Sequence, residues 1–226
     1  MRLSVIVPAL DEADEIEATL RRARAPQVVE LLVVDGGSTD DTVARARPLA
    51  DDVLIAPRGR ALQMNAGARR ACGDVLLFLH ADTWLPEGFA EAVERAIAEG
   101  AIAGRFDVEL RGTHPFLPVI ATLMNARSRW TGISTGDQAI FVRRDVFARL
   151  GGFAPIPLME DVELGTRLRR AGRLAPLRER VSTSARRWEE EGVARTIVLM
   201  WWLRFAYACG ASPEWCARAY RRRRKR

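Results

Sequence analysis

The first third of the chain alternates short apolar runs with longer amphipathic segments. Apolar runs bounded by turn formers are typical of strands buried on both faces of a parallel sheet, and apolar residues spaced three or four apart are typical of helices. Strands alternating with helices at this spacing indicate a parallel sheet built from right-handed crossovers. The predicted strands are 3–7, 29–34, 53–56 and 75–79, and the predicted helices are about 14–24, 39–46 and 61–71.

The second half of the chain is less regular, and helix-like segments predominate in it. The two strand-like segments are short and carry polar residues within them. The predicted strands are 104–110 and 139–142, and the predicted helices are 89–99, 116–129, 145–150 and 161–170.

One C-terminal segment, residues 196–211, is almost entirely apolar apart from Arg204. As a helix it would span roughly 24 Å, less than the ~30 Å hydrocarbon core of a bilayer, so we do not expect it to cross a membrane. One interpretation is a helix that lies in a membrane interface; the other is a helix that packs in the core and precedes a solvated tail. Its aromatic residues are Trp201, Trp202, Phe205 and Tyr207.

Composition and charge limit the classes of protein that fit. A chain of 226 residues that is 48% hydrophobic has the size of one domain and is not globally disordered. The net charge is +6, but seven basic residues lie between Arg218 and Arg226, so the rest carries about −1. We therefore expect no nucleic-acid partner, and the basic tail suits an anionic membrane surface.

The cysteines and the N-terminus indicate the compartment. The three cysteines, Cys72, Cys209 and Cys216, are odd in number and lack metal-ligand spacing, so we predict neither a disulfide framework nor a zinc site. A strand-like run begins at Leu3, so we expect no signal peptide. The predicted location is the cytoplasm, either free or peripherally associated with the inner face of the membrane.

Acidic residues directly follow two of the predicted strands. The segment Asp35-Gly36-Gly37 follows the second strand, and His80-Ala81-Asp82 follows the fourth. Ligands of open α/β sheets bind at the carboxyl ends of the strands, where carboxylates can face sugar hydroxyls or a cation that holds a phosphate. The pattern predicts a nucleotide-handling enzyme.

Two stretches resemble family-2 glycosyltransferases: VIVPALDEADEI at 5–16 and VVDGGSTDDT at 33–42. The resemblance implies a GT-A fold in which Pro8, Ala9, Glu12 and Asp35 line the nucleotide pocket. A carboxylate suits that task because it accepts hydrogen bonds from ribose hydroxyls or a base N–H.

Two further motifs of the resemblance concern the diphosphate of the nucleotide. The stretch RGRALQMNAG at 58–67 is a basic turn entering a helix, and either Arg58 or Arg60 is expected to hold the nucleotide or its diphosphate; ordinary helix initiation with surface arginines is the alternative. His80-Ala81-Asp82 occupies the position of the family's Asp-x-Asp motif, which implies a Mg²⁺ or Mn²⁺ ion held by Asp82. His80 is either a further metal ligand or a packing group.

The stretches GDQ at 136–138 and LMEDVEL at 158–164 match the acceptor side of the family. The match implies that Asp161 is the catalytic base and that Glu160 is its neighbour near the acceptor. Direct displacement at an anomeric carbon needs one base to take the acceptor proton. The alternative is that both carboxylates only stabilise a helix N-terminus.

The stretch SARRW at 184–188 lies where processive synthases of the family carry Gln-x-x-Arg-Trp. The glutamine position is Ser184, so we do not predict polymer synthesis. Arg187 stays a candidate ligand of the diphosphate, and Trp188 either contacts the acceptor or packs on the surface.

The resemblance covers residues 3–188. It predicts a hexosyltransferase-like catalytic domain at 1–188, with a nucleotide-binding half at about 1–100 and an acceptor half at about 101–188, followed by a C-terminal helix and basic tail at 189–226. The motif combination resembles a small bacterial subgroup associated with arsenosugar biosynthesis.

The predicted function is transfer of a sugar from a nucleoside diphosphate sugar, with a UDP-sugar favoured, to a hydroxyl of a small-molecule or lipid-linked acceptor. We expect inversion and a dependence on Mg²⁺ or Mn²⁺. One alternative is a non-catalytic membrane-surface binding protein on a GT-A scaffold. A nucleotidyltransferase is less favoured because no glycine-rich phosphate loop follows the first strand.

Overall fold

The structure is a computed structural model that describes residues 1–222, without the side chains of Arg187, Arg221 and Arg222. The end of the predicted basic tail, 223–226, lies outside the described residues. The strands are β1 (Leu3–Ala9), β2 (Val28–Asp35), β3 (Asp52–Ile55), β4 (Val75–Phe78), β5 (Thr83–Trp84), β6 (Ala103–Arg111), β7 (Ile140–Arg143) and β8 (Leu174–Ser184). The helices are α1 (Ile16–Arg22), α2 (Thr42–Ala46), α3 (Arg60–Arg70), α4 (Phe89–Ala98), α5 (Leu117–Thr131), α6 (Arg144–Arg149), α7 (Glu160–Ala171), α8 (Arg186–Glu191), α9 (Val193–Ala208) and α10 (Pro213–Arg222).

The strands form one sheet in the order β3-β2-β1-β4-β7-β6-β8-β5. The first four strands along the chain pair in parallel, as predicted. Beyond them, β7 is antiparallel to both β4 and β6, β8 is parallel to β6, and β5 is antiparallel to β8. In this register Ala9 lies opposite Asp35, and Ile6 lies opposite Phe78. The segments that follow β1, β2 and β4 therefore leave the sheet at the same edge.

Helices cover both faces of the sheet because the central strands are apolar on both sides. Every residue of β1 and β4 is buried. Val5 packs in one cluster with α1 and α4, whereas Ile6 packs in the other cluster with α3, α6 and α7. Side chains of a strand alternate between its faces, so a continuous apolar run fills both clusters.

The C-terminal helix α9 packs against the protein on one face and is exposed on the other. Its inner face packs through Leu199 and Leu203 against Met159 and Cys216, while Trp201 is exposed on its outer face. Tyr207, which the interfacial interpretation placed with the exposed aromatic residues, is instead half-buried against the inner cluster. No helix within residues 1–222 combines the length and the apolar character that crossing a membrane requires.

The predicted helices and strands are confirmed, with ends that differ by a few residues, and four of the strands and α-helices described above were not predicted. Strand β8 contains Pro176 and the three consecutive charged residues Arg178, Glu179 and Arg180, yet it pairs with β6 over most of its length. Strand β5 has two residues. Helices α8 and α10 also went unpredicted, and α8 runs across the boundary that the sequence analysis sets after residue 188.

Candidate functional site

Asp35 ends strand β2 and is fixed by the loop that follows it. Its side chain is 2% exposed. Its Oδ2 accepts hydrogen bonds from the backbone N–H groups of Gly37 at 2.8 Å and Ser38 at 3.0 Å, and its Oδ1 accepts a hydrogen bond from the Ser38 hydroxyl at 2.5 Å. These bonds satisfy the buried carboxylate and hold it at the carboxyl edge of the sheet.

Gln63 links the end of β1 to the end of β2 through its side-chain amide. This residue of α3 is 4% exposed, and its Nε2 donates hydrogen bonds of 2.8 Å to the carbonyl oxygens of both Ala9 and Val34. A Cβ at Gly36 would lie 3.0 Å from the Gln63 amide, so glycine lets the backbone pass close to it. Pro8 and Ala9 are themselves buried. They can therefore contribute shape and backbone groups to a pocket, but little exposed surface.

Glu12 meets a cluster of charged side chains beyond the end of β1. It accepts a hydrogen bond from Arg186 Nη2 at 3.1 Å, and this arginine is the first residue of α8. Burial raises the pKa of Glu12, and the neighbouring Asp82 raises it further. Burial by itself would lower the pKa of Arg186, but the charge of Glu12 raises it.

Asp82 lies in the same cluster, next to Glu15 and Arg186. Burial raises the pKa of its carboxyl group, against the hydrogen bond that the Thr83 hydroxyl donates to it at 3.3 Å. Two partly buried carboxylates whose pKa values are raised form a site that is stabilised by a bound cation.

The carboxylates of Glu12 and Asp82 therefore fit Mg²⁺ or Mn²⁺, both of which prefer oxygen ligands. Within residues 1–222 there is no group of three or more His, Cys, Asp or Glu side chains placed to hold a metal ion. A cation bound here would take its remaining ligands from a diphosphate or from water.

His80 lies in different surroundings from Asp82. It lines a small chamber together with Arg60, Glu160 and Asp161. Its Nε2 atom is buried and has no hydrogen-bond partner among the described residues. Burial lowers the pKa of His80 well below its usual value, and Arg60 lowers it further, so the imidazole is neutral at physiological pH.

Asp161 stands in the first turn of α7, on one wall of this chamber. Its Oδ2 accepts a hydrogen bond from the backbone N–H of Gly136 at 2.9 Å, and its Oδ1 accepts one from the N–H of Val162 at 2.7 Å. These two hydrogen bonds fix the carboxyl group at the start of the helix, on the wall of the chamber. A carboxylate in a fixed position within reach of a bound hydroxyl is what a general base requires.

Glu160 precedes Asp161 but points into the protein. Its side chain is 4% exposed and pairs with Arg60 Nη1 at 3.5 Å. Burial raises the pKa of Glu160, and Arg60 opposes this rise. Glu160 thus fixes the guanidinium of Arg60 beside the chamber. Both arginines of the basic turn are exposed, and Arg60 is paired with Glu160.

Two residues near Asp161 were missed by sequence reasoning. The Oδ1 atom of Asp137 is buried and has no hydrogen-bond partner among the described residues. Burial raises the pKa of Asp137, and the charge of Asp161 raises it further. Burial lowers the pKa of Arg127, which both carboxylates attract. The GDQ motif was the available signal for Asp137, whereas nothing in the sequence distinguishes Arg127 from the other arginines.

Arg186 was also missed. Sequence reasoning chose the next residue, Arg187, whose side chain lies outside the described part of the structure. The signal in the sequence was the pair of arginines in SARRW. Which of the two faces Glu12 is known only from the structure.

The sheet order, the helices on both faces and the acidic strand ends define a GT-A fold, and solved structures of glycosyltransferases confirm it. Staphylococcus aureus TarS 1-349 in complex with UDP superposes with a TM-score of 0.64 at 18% identity, over 81% of this chain and 60% of that one. Glucosyl-3-phosphoglycerate synthase from Mycobacterium tuberculosis, in complex with Mn²⁺, UDP and phosphoglyceric acid, gives a TM-score of 0.65 at 23% identity, over 92% and 78% of the two chains.

The chain belongs to glycosyl transferase family 2, whose sequence profile matches residues 4–154. It is 29% identical to succinoglycan biosynthesis protein ExoA of Rhizobium meliloti over 74% of this chain. It is 32% identical to a PGL/p-HBAD biosynthesis glycosyltransferase of Mycobacterium bovis over 66% of this chain. The chain spans 58% of the length of the first relative and 62% of the second.

Proposed function

We propose that this protein transfers a sugar from a nucleoside diphosphate sugar to an acceptor hydroxyl, with inversion at the anomeric carbon. A UDP-sugar is the favoured donor because two proteins of the same fold are described in complex with UDP. Residues 1–100 would bind the nucleotide, and residues 101–188 would receive the acceptor.

The observation that carries this proposal is the setting of Asp161. Its carboxylate is held by the N–H of Gly136 at the start of α7, and it faces a chamber that Arg60 and His80 also line. In this role Asp161 takes the proton of the acceptor hydroxyl as that oxygen attacks the anomeric carbon, and the nucleoside diphosphate departs from the opposite side. A single base and a single displacement invert the configuration.

The donor side is assigned to the edge formed by the ends of β1, β2 and β4. Asp35 would accept hydrogen bonds from the nucleoside, while Arg60 and Arg186 carry charge that complements a diphosphate. Arg58 and Arg187 stay in the proposal as further diphosphate ligands. Asp82, with Glu12 beside it, would hold Mg²⁺ or Mn²⁺. When bound, the cation offsets the negative charge that develops on the departing diphosphate.

His80 is assigned a different role from the one that its motif implies. Its neutral ring lies beside Gly136 and within the chamber of Asp161, so we propose that its unpartnered Nε2 contacts the sugar or the acceptor. A direct bond to the cation held by Asp82 is the alternative, in which case the site would favour Mn²⁺.

The finer features of the function are also proposals. The acceptor is a small molecule or a lipid-linked hydroxyl, and a role in arsenosugar biosynthesis rests on motif resemblance alone. We propose a cytoplasmic site of action with peripheral attachment to an anionic membrane, because aromatic side chains of α9 are exposed.

A binding screen tests the donor side directly. Thermal shift and calorimetry with UDP, GDP, CDP and TDP, each with Mn²⁺ or Mg²⁺, should give one nucleotide that stabilises the protein only when metal is present. Asp82→Asn should remove that metal-dependent shift. Asp145→Asn, a change at an exposed carboxylate paired with Arg143, is the matched control and should bind normally. If no nucleotide stabilises the protein, or if Asp82→Asn binds as well as the parent, the donor assignment is wrong.

A further inference from the structure

Helix α9 carries an exposed row of large apolar side chains. Val198, Trp201, Trp202 and Phe205 are 62%, 68%, 51% and 61% exposed, and they follow the i, i+3, i+4, i+7 spacing of one helix face. The outer face of a helix on a protein in water is ordinarily polar. A contiguous apolar row of this kind marks a surface that binds something.

The neighbouring helix α5 extends this surface. Phe116, just before it, and Val119 and Leu123 within it are each more than half exposed. The two helices pack together through a hydrophobic cluster that contains Ile120 and Ile197. We call the exposed residues of both helices the α5–α9 face; its members are Phe116, Val119, Leu123, Val198, Trp201, Trp202 and Phe205.

The two helices of this face carry basic charge alone. Neither α5 nor α9 contains an aspartate or a glutamate, and α9 carries Arg195 and Arg204. The adjoining helices carry both signs, with Glu189, Glu190 and Glu191 in α8 and Glu214 and the exposed Arg218 in α10, and the sequence that follows Tyr220 is entirely basic. Basic residues beside exposed tryptophans suit the headgroup region of an anionic membrane. A second copy of the same face would bring like charges together, which disfavours self-association.

The inner side of α9 is attached to the acceptor side of the proposed site. Leu199 and Leu203 pack against Met159, with Leu158 and Val162 in the same cluster. These last three residues flank Glu160 and Asp161 in sequence. The helix that carries the exposed aromatic residues therefore also supports the segment that holds the proposed base.

We propose that the α5–α9 face docks on an anionic membrane and that the acceptor hydroxyl is carried by a lipid at that surface. The first part of the proposal, docking on the membrane, depends only on the exposed face and its charge. The second part, a lipid acceptor, rests on the proposed transferase function, since it requires Asp161 to be the base.

Vesicle sedimentation tests the first part of the proposal, docking on the membrane, without any nucleotide. The full chain should sediment with vesicles of phosphatidylglycerol and phosphatidylcholine, and at least tenfold more weakly with phosphatidylcholine alone. The triple variant W201S/W202S/F205S should bind the anionic vesicles at least tenfold more weakly. Ile55 is 69% exposed on strand β3 and lies outside the face, so Ile55→Ser is the matched control and should bind normally.

Unchanged binding by the triple variant, or equal binding to both vesicle types, would overturn membrane docking through this face. So would a parent protein that ignores vesicles but sediments as a dimer that the triple variant dissociates, because the face would then bind a second copy. Circular dichroism melts of each variant establish that it is folded.

A fluorescent label tests the second part of the proposal, the lipid acceptor. In a C72S/C209S background, an environment-sensitive dye placed by Pro157→Cys would report on the segment before Asp161, and one placed by Ile55→Cys would report on the distant strand β3. Both positions are exposed. On anionic vesicles the dye at 157 should shift to the blue and be quenched by spin-labelled lipid, and the dye at 55 should not.

If the protein binds vesicles while the dye at 157 stays in water, the proposal of a lipid acceptor is overturned and docking on the membrane stands. Neither membrane measurement uses a nucleotide. A failure here is thus distinguishable from a failure of the nucleotide screen, which would remove the transferase function itself.

Discussion

Gln63 offers the sharpest test of how the donor edge is built. Its amide is the hydrogen-bond donor to the carbonyl oxygens of Ala9 and Val34, the positions at which β1 and β2 end. Gln63→Met keeps the approximate length and volume of the side chain but removes both hydrogen bonds. We expect a folded protein with lower stability and a looser nucleotide pocket.

The size of the effect follows from these two contacts. The Ala9 carbonyl oxygen keeps a second donor, the backbone N–H of Gly36 at 2.9 Å, so it is not left without a partner. Each of the two lost hydrogen bonds then costs roughly 0.5–1.5 kcal/mol, and the near-equal volume of methionine adds little cavity cost. The free energy of unfolding should therefore fall by about 2 kcal/mol. For a chain of this size that corresponds to a melting temperature lower by ~4–8 °C. Gln63→Glu should be worse, since it places a carboxylate oxygen against the carbonyl oxygens.

Differential scanning calorimetry of the parent and both variants measures the loss, and calorimetric titration with the nucleotide found in the screen measures the pocket. Gln27→Met is the control. Gln27 is half-buried and donates to the exposed Glu91, so its loss should change stability by about 0.5 kcal/mol or less. If Gln63→Met melts within two degrees or so of the parent, the two hydrogen bonds do not hold the donor edge together and the reasoning fails.

Four further predictions concern the charged site. Asp161→Asn should bind the nucleotide normally but release UDP from a UDP-sugar about 10²–10⁴ times more slowly, as measured by stopped assays of free UDP, because the base is lost. Asp82→Asn should raise the melting temperature of the ligand-free protein, because it removes a partly buried negative charge beside Glu12, and should abolish metal-dependent binding. Metal-dependent affinity, measured by titration calorimetry, should fall as the pH drops from 7.5 to 5. Burial raises the pKa of both Glu12 and Asp82, and protons then compete with the cation. The loss of affinity should therefore begin at a higher pH than carboxyl groups with the usual pKa of about 4 would give. Gly136→Ala should lower turnover but not nucleotide affinity, since its methyl group would overlap the His80 ring and displace the N–H that holds Asp161.

Each of these expectations has a contrary result. Normal turnover by Asp161→Asn would remove it as the base. A ligand-free Asp82→Asn protein that melts below the parent would mean that this carboxylate stabilises the fold. A metal-dependent affinity that is flat down to pH 5 would show that the acidic cluster does not bind the cation. Loss of nucleotide affinity in Gly136→Ala would place Gly136 on the donor side.

The sequence was sufficient for the parallel half of the sheet. Strands β1 to β4 are short apolar runs between turn formers, and the helices between them repeat at the helical period, so each element follows from its own residues. The polar residues that follow such strands lie at the carboxyl edge by geometry alone. This is why Asp35 and Asp82 could be placed from the sequence, and why the Glu160-Asp161 pair could be placed at the start of a helix.

Strand β8 shows where local patterns stop being informative. It carries Pro176 and charged residues such as Arg178 and Arg180, and its local sequence gives little indication of a strand. It forms because β6 supplies a partner from more than sixty residues earlier in the chain. Pairing over such a distance in sequence depends on the whole fold and not on the propensity of the segment.

The sequence by itself determined which chemical groups the site has available: the carboxylates at the strand ends, the carboxylate pair that opens α7, and the arginines around them. The tertiary structure decided how they are grouped. It placed His80 in one chamber with Asp161, paired Arg186 with Glu12, and left one side of α9 in solvent. Residue type and local period are properties of a segment, whereas burial, charge pairing and exposure are set by which distant segments pack against it.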